Sequence, residues 1–529
     1  MENDNKRGSW GSVFGFLMAA IGSAVGLGNI WGFPYKMGKS GGFSFLIIYL
    51  ALAVFVGFII MTSELALGRK TGLGAIGAYN KIKSKSSWIG WLAVLAPFLI
   101  MSFYSVLGGY CIQYLSLNLA ELSFDLQNVF GISLNGGETF SAMLTNPFGC
   151  IAFTLIFMII CFLINRGGVS EGIEKFNTIG MPALFVMLVI VIIRSLTMEG
   201  AVEGLKFMFK PGYAVEAGFI AEQPGFVSVL GTAGGQMFFS LSLAMGVMIT
   251  YGSYLGKTEN LKKSSLVIVI SDTLVALMAG LAVIPAAVAN GIQNGIPYAE
   301  IKLSGPNLLF VTLQNVFAEM GRVGPLFGVV FYLLVLIAAI SSAISLIEVI
   351  TAFFTDNAQI KGKKVNRERT ILWVCAVIML EAVLVAACGL GSNNIAPANL
   401  LKWTEGGAYA TWNDCWLDFM DCWSEGIAMP LGAMIMALIV GWELKPKFLL
   451  DELDAGAKNH SGFDMFYTIC IKFIVPVAMC FILAGSLIDY FTPINGGYDV
   501  TGICYGISVG LLVIFFLISF LAGRKNTQK

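Results

Sequence analysis

Two short stretches of the sequence have the residue types of a broken membrane helix. The first, Gly22 to Asn29, holds three glycines inside an apolar run from Gly11 to Tyr35. Each glycine costs about 1 kcal/mol relative to alanine within a helix. An opened backbone in hydrocarbon costs more, unless its carbonyls and amides line a cavity or hold a ligand. Close helix packing through small residues is the alternative, but a second interruption, from Ser240 to Gly246, favours broken helices.

The chemistry expected at such breaks is the binding of ions and of a polar substrate. Discontinuous helices in transporters hold cations on free carbonyls and anionic groups on free amides. Enzyme chemistry is not indicated, because no nucleophile stands beside a base and His460 is the single histidine. The ten cysteines show no CxxC spacing, and we expect them to be buried small apolar side chains.

The composition places these stretches in a membrane. Hydrophobic residues make up 57% of the 529 residues, charged residues only 12%, and the mean hydropathy is +0.80. A soluble chain carries roughly a quarter charged residues. The formal net charge of zero argues against a nucleic-acid partner. We therefore expect an all-α polytopic membrane protein whose partners are the lipid bilayer and a small molecule.

Windows of about 20 apolar residues predict twelve transmembrane helices. They cover approximately 11–36, 41–68, 88–118, 148–165, 175–197, 226–254, 264–290, 322–356, 369–391, 414–442, 464–489 and 501–522. Of the 32 lysines and arginines, 23 lie on the side of the membrane that holds the N-terminus, 8 lie on the opposite side, and Lys472 lies within a span. The positive-inside rule then predicts a multi-pass protein of the cell (inner) membrane with both termini in the cytoplasm.

The two interruptions fall in spans one and six. If these spans are equivalent members of two five-helix repeats, the second repeat is inverted, because five is an odd number. The predicted fold is thus a five-plus-five inverted repeat with spans 1 and 6 broken mid-membrane and the site between the breaks. The predicted organisation is a cytoplasmic tail 1–9, a first repeat 10–200, a second repeat 201–445, two additional transmembrane helices in 446–522 and a cytoplasmic tail 523–529.

A series of motifs runs along spans one to ten. They are Trp10, Gly22 to Asn29, Phe33-Pro34-Tyr35, Gly41-Gly42, Glu64 with Gly68-Arg69, Arg166-Gly167, Gly172 to Lys175, Met181-Pro182 and Gln236 to Ser242. The series resembles the neurotransmitter:sodium symporter family, particularly its prokaryotic amino-acid transporters. The resemblance implies the fold of the bacterial leucine transporter and sodium-coupled uptake of an amino acid by alternating access.

The resemblance also implies two sodium sites made of oxygen atoms, which a hard cation prefers. The first would consist of the Ala24 carbonyl, the Asn29 side chain, Ser240 and Asp272. The second would consist of the carbonyls of Gly22, Val25 and Ala338 with the hydroxyls of Ser341 and Ser342.

Asp272 stands where the family usually has asparagine. A carboxylate between apolar residues of a span is costly unless it pairs with a cation or belongs to a site. Solvation near the cytoplasmic end of the span is the alternative. Ala276 stands where chloride-dependent members have serine, so we expect Asp272 to supply the fixed negative charge and the transporter to need no chloride.

A substrate pocket between the breaks is implied by the same resemblance. The substrate carboxylate would meet the amides of Leu27 and Gly28, and its ammonium group the carbonyls of the two breaks. The residues assigned to this pocket are Ser23, Ala24, Gly26, Leu27, Gly28, Ile100, Tyr104, Phe239, Ser240, Ser242, Met245, Ser342, Ser345 and Leu346. The part of the pocket assigned to the substrate side chain, Ile100, Phe239, Met245, Ser342, Ser345 and Leu346, is mainly apolar, and Gly26 stands where amine-transporting members have aspartate. We therefore expect a neutral hydrophobic or aromatic amino acid.

The gates follow the family on one side only. The cytoplasmic gate would consist of Arg7, Trp10 and Asp356. At the outer gate, formed by Tyr104, Phe239 and Asp421, the family's arginine is replaced by Gly32. Either Lys36 or Lys39 takes its part, or Tyr104 over Phe239 closes the pathway alone.

Three further carboxylates lie within predicted spans. We expect Glu64 to brace the unwound backbone of span six, and Glu348 to be either a brace or part of a proton-exchange path; Glu425 is the third. Two other functions stay open, a sodium-coupled amine transporter and a non-transporting amino-acid sensor with the same fold. The particular amino acid, the sodium stoichiometry, proton antiport and the oligomeric state are not determined by the sequence.

Overall fold

A computed structural model describes residues 9–82, 87–125, 135–301, 303, 308–363, 365–401, 415–455, 461–494 and 500–527. This part of the chain is helical and contains no strand. The α-helices are α1 Val13–Ala24, α2 Phe33–Lys39, α3 Phe43–Leu52, α4 Phe58–Thr71, α5 Ala75–Ile82, α6 Ser87–Phe124, α7 Gly136–Leu144, α8 Pro147–Arg166, α9 Lys175–Leu196, α10 Ala201–Phe209, α11 Tyr213–Glu216, α12 Phe226–Ser240, α13 Val247–Gly252, α14 Leu261–Gln293, α15 Leu313–Glu319, α16 Gly324–Ile360, α17 Arg367–Cys388, α18 Pro397–Leu401, α19 Trp416–Asp421, α20 Met429–Leu438, α21 Lys447–Asp454, α22 Ser461–Ile469, α23 Val475–Ile494 and α24 Thr501–Thr527.

Short segments of other helical geometry join several of these helices. The π-helical turns are Gly28–Gly32, Ala53–Gly57, Val169–Glu174, Leu308–Thr312, Cys422–Ala428, Ile439–Glu443 and Cys470–Ile474. The 3₁₀ turns are Tyr298–Glu300 and Gly321–Val323. A π-helical turn inside a longer helix often marks a functional position, and the turn Gly28–Gly32 contributes Gly28 to the central cavity of the candidate site.

Ten continuous helices of the described chain are long and apolar enough to cross a membrane, and the bent pair Val13–Ala24 and Gly28–Lys39 would make an eleventh. The predicted sixth span is present as two shorter helices, Phe226–Ser240 and Val247–Gly252. The all-α class is therefore confirmed, whereas the number of twelve spans and the domain bounds stay predictions.

The first break lies at Val25–Leu27. Helix α1 ends at Ala24 because Val25 adopts an extended conformation with φ −76° and ψ 97°. The chain becomes helical again at Gly28, and the second half is bent by 44° relative to the first. At the break, backbone groups bond to side chains instead of to the helix: Gly26 N donates to Asn29 Oδ1, Leu27 N donates to Tyr104 Oη, and Gly28 O accepts from Gln236 Nε2.

The second break spans residues 241–246 and depends on left-handed backbone. Ser242, Ala244 and Gly246 have φ of 52°, 59° and 74°, a conformation that costs a non-glycine residue roughly 1–2 kcal/mol. Glu64 Oε1 accepts a hydrogen bond from Ala244 N at 2.8 Å. This is the brace expected for Glu64.

The second break touches the last turn of α1, directly before the first break. Ser242 Oγ donates a hydrogen bond to Ser23 O at 2.8 Å. Around them, the helices Trp88–Phe124 and Trp416–Glu443 are mostly buried inside the protein, whereas Thr501–Arg524 exposes most of its apolar surface. The breaks therefore lie in the interior, and the apolar outer surface is suited to lipid.

Candidate ion and substrate site

The first oxygen cluster joins span one to spans six and seven through Asn29, Ser240 and Asp272. Asn29 Nδ2 donates to Asp272 Oδ1 at 2.7 Å and to Ser240 Oγ at 2.9 Å. Ser240 Oγ also lies 3.0 and 2.9 Å from the two carboxylate oxygens of Asp272. Tyr49 Oη donates to Asp272 Oδ2 at 3.4 Å. Three of the residues expected at the first sodium site thus come together.

The donor set of this cluster fits a monovalent cation. Asp272 is completely buried, so the alternative of a solvated carboxylate is wrong. No ion pair involving Asp272 occurs among the described residues, and its hydrogen-bond partners are neutral side chains. Burying a charge without a counter-charge is costly, and a cation beside Asp272 would remove that cost.

The geometry of Asn29 differs from that of a sodium ligand. Its Oδ1 accepts a hydrogen bond from Gly26 N at 3.0 Å, while its Nδ2 faces Asp272. The side chain therefore caps the restarting helix and partly balances the carboxylate. For Asn29 to offer its oxygen to a cation beside Asp272, the amide would have to turn over.

The second oxygen cluster lies between the end of α1 and the middle of the helix Gly324–Ile360. Ser341 Oγ donates to Ala338 O at 2.8 Å and lies 3.4 Å from Val25 O. Ser342 Oγ donates to Ser23 O at 3.0 Å and lies 3.4 Å from Gly22 O. The structure brings together the five residues expected at the second sodium site. Hydroxyls and carbonyls without a carboxylate also fit a monovalent cation.

Between the two clusters lies a small central cavity. It is lined by Ser23, Ala24, Gly26, Gly28, Ile100, Tyr104, Phe239, Ser242, Met245, Ser342 and Leu346, eleven of the fourteen residues expected in the substrate pocket. Its volume of about 10 Å³ is room for about one water molecule. An amino acid can enter only if these walls move apart.

The three other expected pocket residues lie beside the cavity. Leu27 N donates to Tyr104 Oη at 3.0 Å, and Ser240 belongs to the first oxygen cluster. The Ser345 hydroxyl lies 2.6 Å from that of Tyr251, on the side of the cytoplasmic gate. Leu27 N and the Tyr104 hydroxyl are thus hydrogen-bonded to each other, and Ser345 is not brought to the cavity wall.

The cavity has no space for a side chain at Gly26. A Cβ atom there would lie 2.3 Å from Ser342 Oγ and 2.7 Å from Tyr104 Oη. An aspartate at this position would displace both side chains.

A vestibule of about 920 Å³ lies on the other side of Phe239 from the cavity, where the outer gate is expected. Phe239 lines both spaces, with its ring centroid 6.3 Å from that of Tyr104, and therefore separates them. Lys36 forms an ion pair with Glu425 across the vestibule. Of the alternatives for the missing arginine, the structure thus brings Lys36 to a carboxylate of span ten, but to Glu425 rather than to the expected Asp421, which lines the same wall.

The side of the expected cytoplasmic gate is closed by aromatic packing around Trp10. Trp10 Nε1 donates to Tyr251 O at 3.2 Å, and its ring packs edge-on to Tyr251 and Tyr254. Asp356 Oδ2 accepts a hydrogen bond from Gly74 N at 2.7 Å. Arg7 lies outside the described residues, so its pairing with Asp356 stays a prediction.

Sequence reasoning missed two partners at these sites. Tyr49, which contacts Asp272, lies in a uniformly apolar stretch where nothing but its hydroxyl distinguished it. Arg367, counted only as a cytoplasmic charge, forms an ion pair with Glu348, which also accepts from Tyr254 Oη at 2.7 Å. These contacts are those of a brace, and a part of Glu348 in proton exchange stays untested.

Known proteins are similar to nearly the whole chain, in agreement with the expected family. The profile described as "Sodium:neurotransmitter symporter family" matches residues 7–129 and 122–524. An uncharacterized sodium-dependent transporter of Bacillus subtilis strain 168, YhdH, is 33% identical over 480 residues, which is 90% of this chain and 97% of that protein. Another of Methanocaldococcus jannaschii is 28% identical over 99% of both chains.

A solved structure matches the fold. The crystal structure of MhsT in complex with L-phenylalanine superimposes with a TM-score of 0.76 and 32% sequence identity, covering 91% of this chain and all of that one. The matched proteins are transporters, not enzymes. From this profile match and these relatives, the chain belongs to the sodium:neurotransmitter symporter family and is a sodium-coupled transporter.

Proposed function

We propose that this transporter imports a neutral hydrophobic or aromatic amino acid with sodium at two sites, by alternating access and without chloride, across the cell membrane. The observation that carries the proposal is the contact of the second break with the last turn of α1, at Ser242 and Ser23, with an oxygen cluster on each side of one small cavity. Such a cavity joins the substrate to both ions, so that their binding is coupled.

The cavity wall supports the choice of substrate. In this structure Leu27 N donates to Tyr104 Oη; a substrate carboxylate at the break would replace Tyr104 as the acceptor of that N–H and would itself accept from the Tyr104 hydroxyl. Ile100, Met245 and Leu346 give an apolar wall for the side chain. L-Phenylalanine in MhsT has the same chemistry. A flexible methionine at 245 suits ligands of several shapes.

Independence from chloride rests on Asp272. Its buried carboxylate already supplies one negative charge next to Asn29 and Ser240. A chloride ion at the same place would bring a second negative charge into a low-dielectric interior, which is unfavourable.

Ligand-induced thermal stabilisation of the purified protein tests the substrate. Stabilisation grows with the ratio of ligand concentration to Kd, so we expect phenylalanine, leucine or a similar amino acid to raise the Tm in sodium and not in potassium. Uptake into proteoliposomes, driven by an inward sodium gradient, should then follow the same ranking of amino acids. The uptake rate should be unchanged when gluconate replaces chloride.

The variant Asp272→Asn tests the carboxylate itself. We expect the half-saturating sodium concentration to rise about tenfold or more, because a neutral amide cannot offset the cation's charge, and we expect added chloride to restore part of the uptake. Asp489→Asn, on the vestibule wall, is the control and should leave sodium affinity unchanged. A strict chloride requirement of the native protein would contradict the proposal.

The two alternatives predict other results. An amine transporter would be stabilised by amines and by no amino acid. The lack of space for an aspartate side chain at Gly26 argues against this alternative. A sensor would show sodium-dependent stabilisation by an amino acid without any uptake.

A further inference from the structure

The start of helix α1 is held by a buried carboxylate from span five. Glu174 is the last residue of the π-helical turn Val169–Glu174, and its side chain is buried. Its Oε2 accepts a hydrogen bond from Gly11 N at 2.7 Å, and its Oε1 accepts one from Ser12 Oγ at 3.0 Å. Ser12 Oγ in turn accepts from Gly15 N at 2.9 Å and so caps the helix. One carboxylate therefore fixes both residues that precede the first turn of α1.

Charge and shape both favour this contact. No ion pair involving Glu174 is found within the described ranges, so the partial positive charge at the N-terminus of α1 acts as its counter-charge. A Cβ atom on Gly15 would lie 1.8 Å from Glu174 Oε1. Glycine at this position is what allows the carboxylate to come so close.

Helix α1 connects this contact to the cytoplasmic gate at one end and to the second oxygen cluster at the other. Trp10, which packs against Tyr251 at the cytoplasmic gate, immediately precedes Gly11. At the other end of the 12-residue helix, Gly22 and Val25 reach the second oxygen cluster. A helix of 12 residues is about 18 Å long. As a rigid body, it joins the position of Trp10 to that of the second oxygen cluster.

We propose that Glu174 is a positioning residue of the inner gate. Its carboxylate holds the start of α1, and with it Trp10, in the closed position, and opening of the cytoplasmic side requires the hydrogen bonds to Gly11 and Ser12 to break. The proposal rests on the alternating access proposed above, but not on the identity of the substrate.

Cysteine accessibility on the two sides of the membrane tests this role. Thr250→Cys places a reporter near Gly74 on the inner side, and Thr232→Cys places one on the vestibule wall. The ten native cysteines are buried, and protein without a reporter gives the background. A membrane-impermeant thiol reagent is applied to the purified protein in nanodiscs, without sodium or substrate.

With Glu174→Gln, we expect the inner reporter to be labelled about tenfold faster, since a hydrogen bond to a charged group contributes at least a factor of that size. We expect the outer reporter to be labelled more slowly, because the same population shift closes the vestibule. Gly15→Ala pushes the carboxylate away without changing its charge and should have the same two effects.

Glu171→Gln is the matched control. Glu171 lies in the same turn, is exposed, and faces Lys175 at 4.0 Å, so neither reporter should change. Unchanged labelling in both Glu174→Gln and Gly15→Ala would overturn the proposal, as would faster labelling of both reporters, which indicates general loosening. Because the measurement needs no substrate, a failed prediction here is distinct from failure of the proposed transport.

Discussion

Lys36 and Glu425 show how one residue change is compensated by others. Gly32 lacks the side chain that would cross the vestibule, and a Cβ there would already lie 2.7 Å from Gln236 Oε1. Lys36, one helical turn further on, forms the ion pair instead, with side chains only 14% and 11% exposed. A pair so little exposed matters more than a surface pair, because removing one partner leaves the other charged and buried.

We therefore expect Lys36→Met to lower the maximal uptake rate and to destabilise the protein by about 3 kcal/mol, with Glu425 left unpaired. The double variant of Lys36→Met and Glu425→Gln should recover much of that loss. Uptake and chemical unfolding of the single and double variants measure the coupling. Lys39→Met is the control; a loss in the double variant equal to the sum of the single losses would show that the ion pair contributes nothing.

At the scale of elements, the breaks depend on support from outside their own helices. The unwound residues 241–246 contain two non-glycine residues with positive φ. Their conformational cost has to be offset by contacts with other parts of the protein. Glu64, from the helix Phe58–Thr71, supplies the acceptor for Ala244 N. The second break is thus a property of two elements rather than of one.

Glu64→Ala should destabilise the protein by about 1–3 kcal/mol, because Ala244 N would be buried without an acceptor. Glu64→Gln retains an oxygen at the same place and should cost clearly less. Chemical unfolding of both purified variants measures the difference. Equal losses would show that the charge of Glu64 matters and not its hydrogen bond.

The positions of the breaks could be predicted from the sequence because they depend on local residue types. The stretch Gly22 to Asn29 contains the end of α1 at Ala24 and the restart at Gly28. The predicted interruption from Ser240 to Gly246 coincides with the segment between Phe226–Ser240 and Val247–Gly252. Glycines and small polar residues in an apolar run carry this signal whatever surrounds them.

At the scale of the whole molecule, the structure is open on one side. A vestibule of about 920 Å³ reaches Phe239, while Trp10 packs against Tyr251 at the opposite end. Within alternating access, this is a state in which the vestibule reaches Phe239, which still separates it from the central cavity, and the other path is closed. The distribution of lysines and arginines between the two sides of the membrane predicts that the closed side is cytoplasmic.

Reporter fusions test that orientation. Alkaline phosphatase is active only outside the cytoplasm, so a fusion after Gly218 should be active and a fusion after Lys361 or after the C-terminal residue should be inactive. Green fluorescent protein at the C-terminus should be fluorescent. Active phosphatase at the C-terminus would contradict the predicted orientation.

The sequence by itself determined the class of fold, both breaks, the family and most residues that line the site, since hydropathy, glycine spacing and motif order are carried by neighbouring residues. Only the tertiary structure decided the partners that the motifs did not assign. Tyr49 and Asp272 are 223 positions apart, and Lys36 and Glu425 are 389 apart. Such contacts depend on how helices pack, because a buried charge is stabilised by whichever partner the packing brings within hydrogen-bond distance.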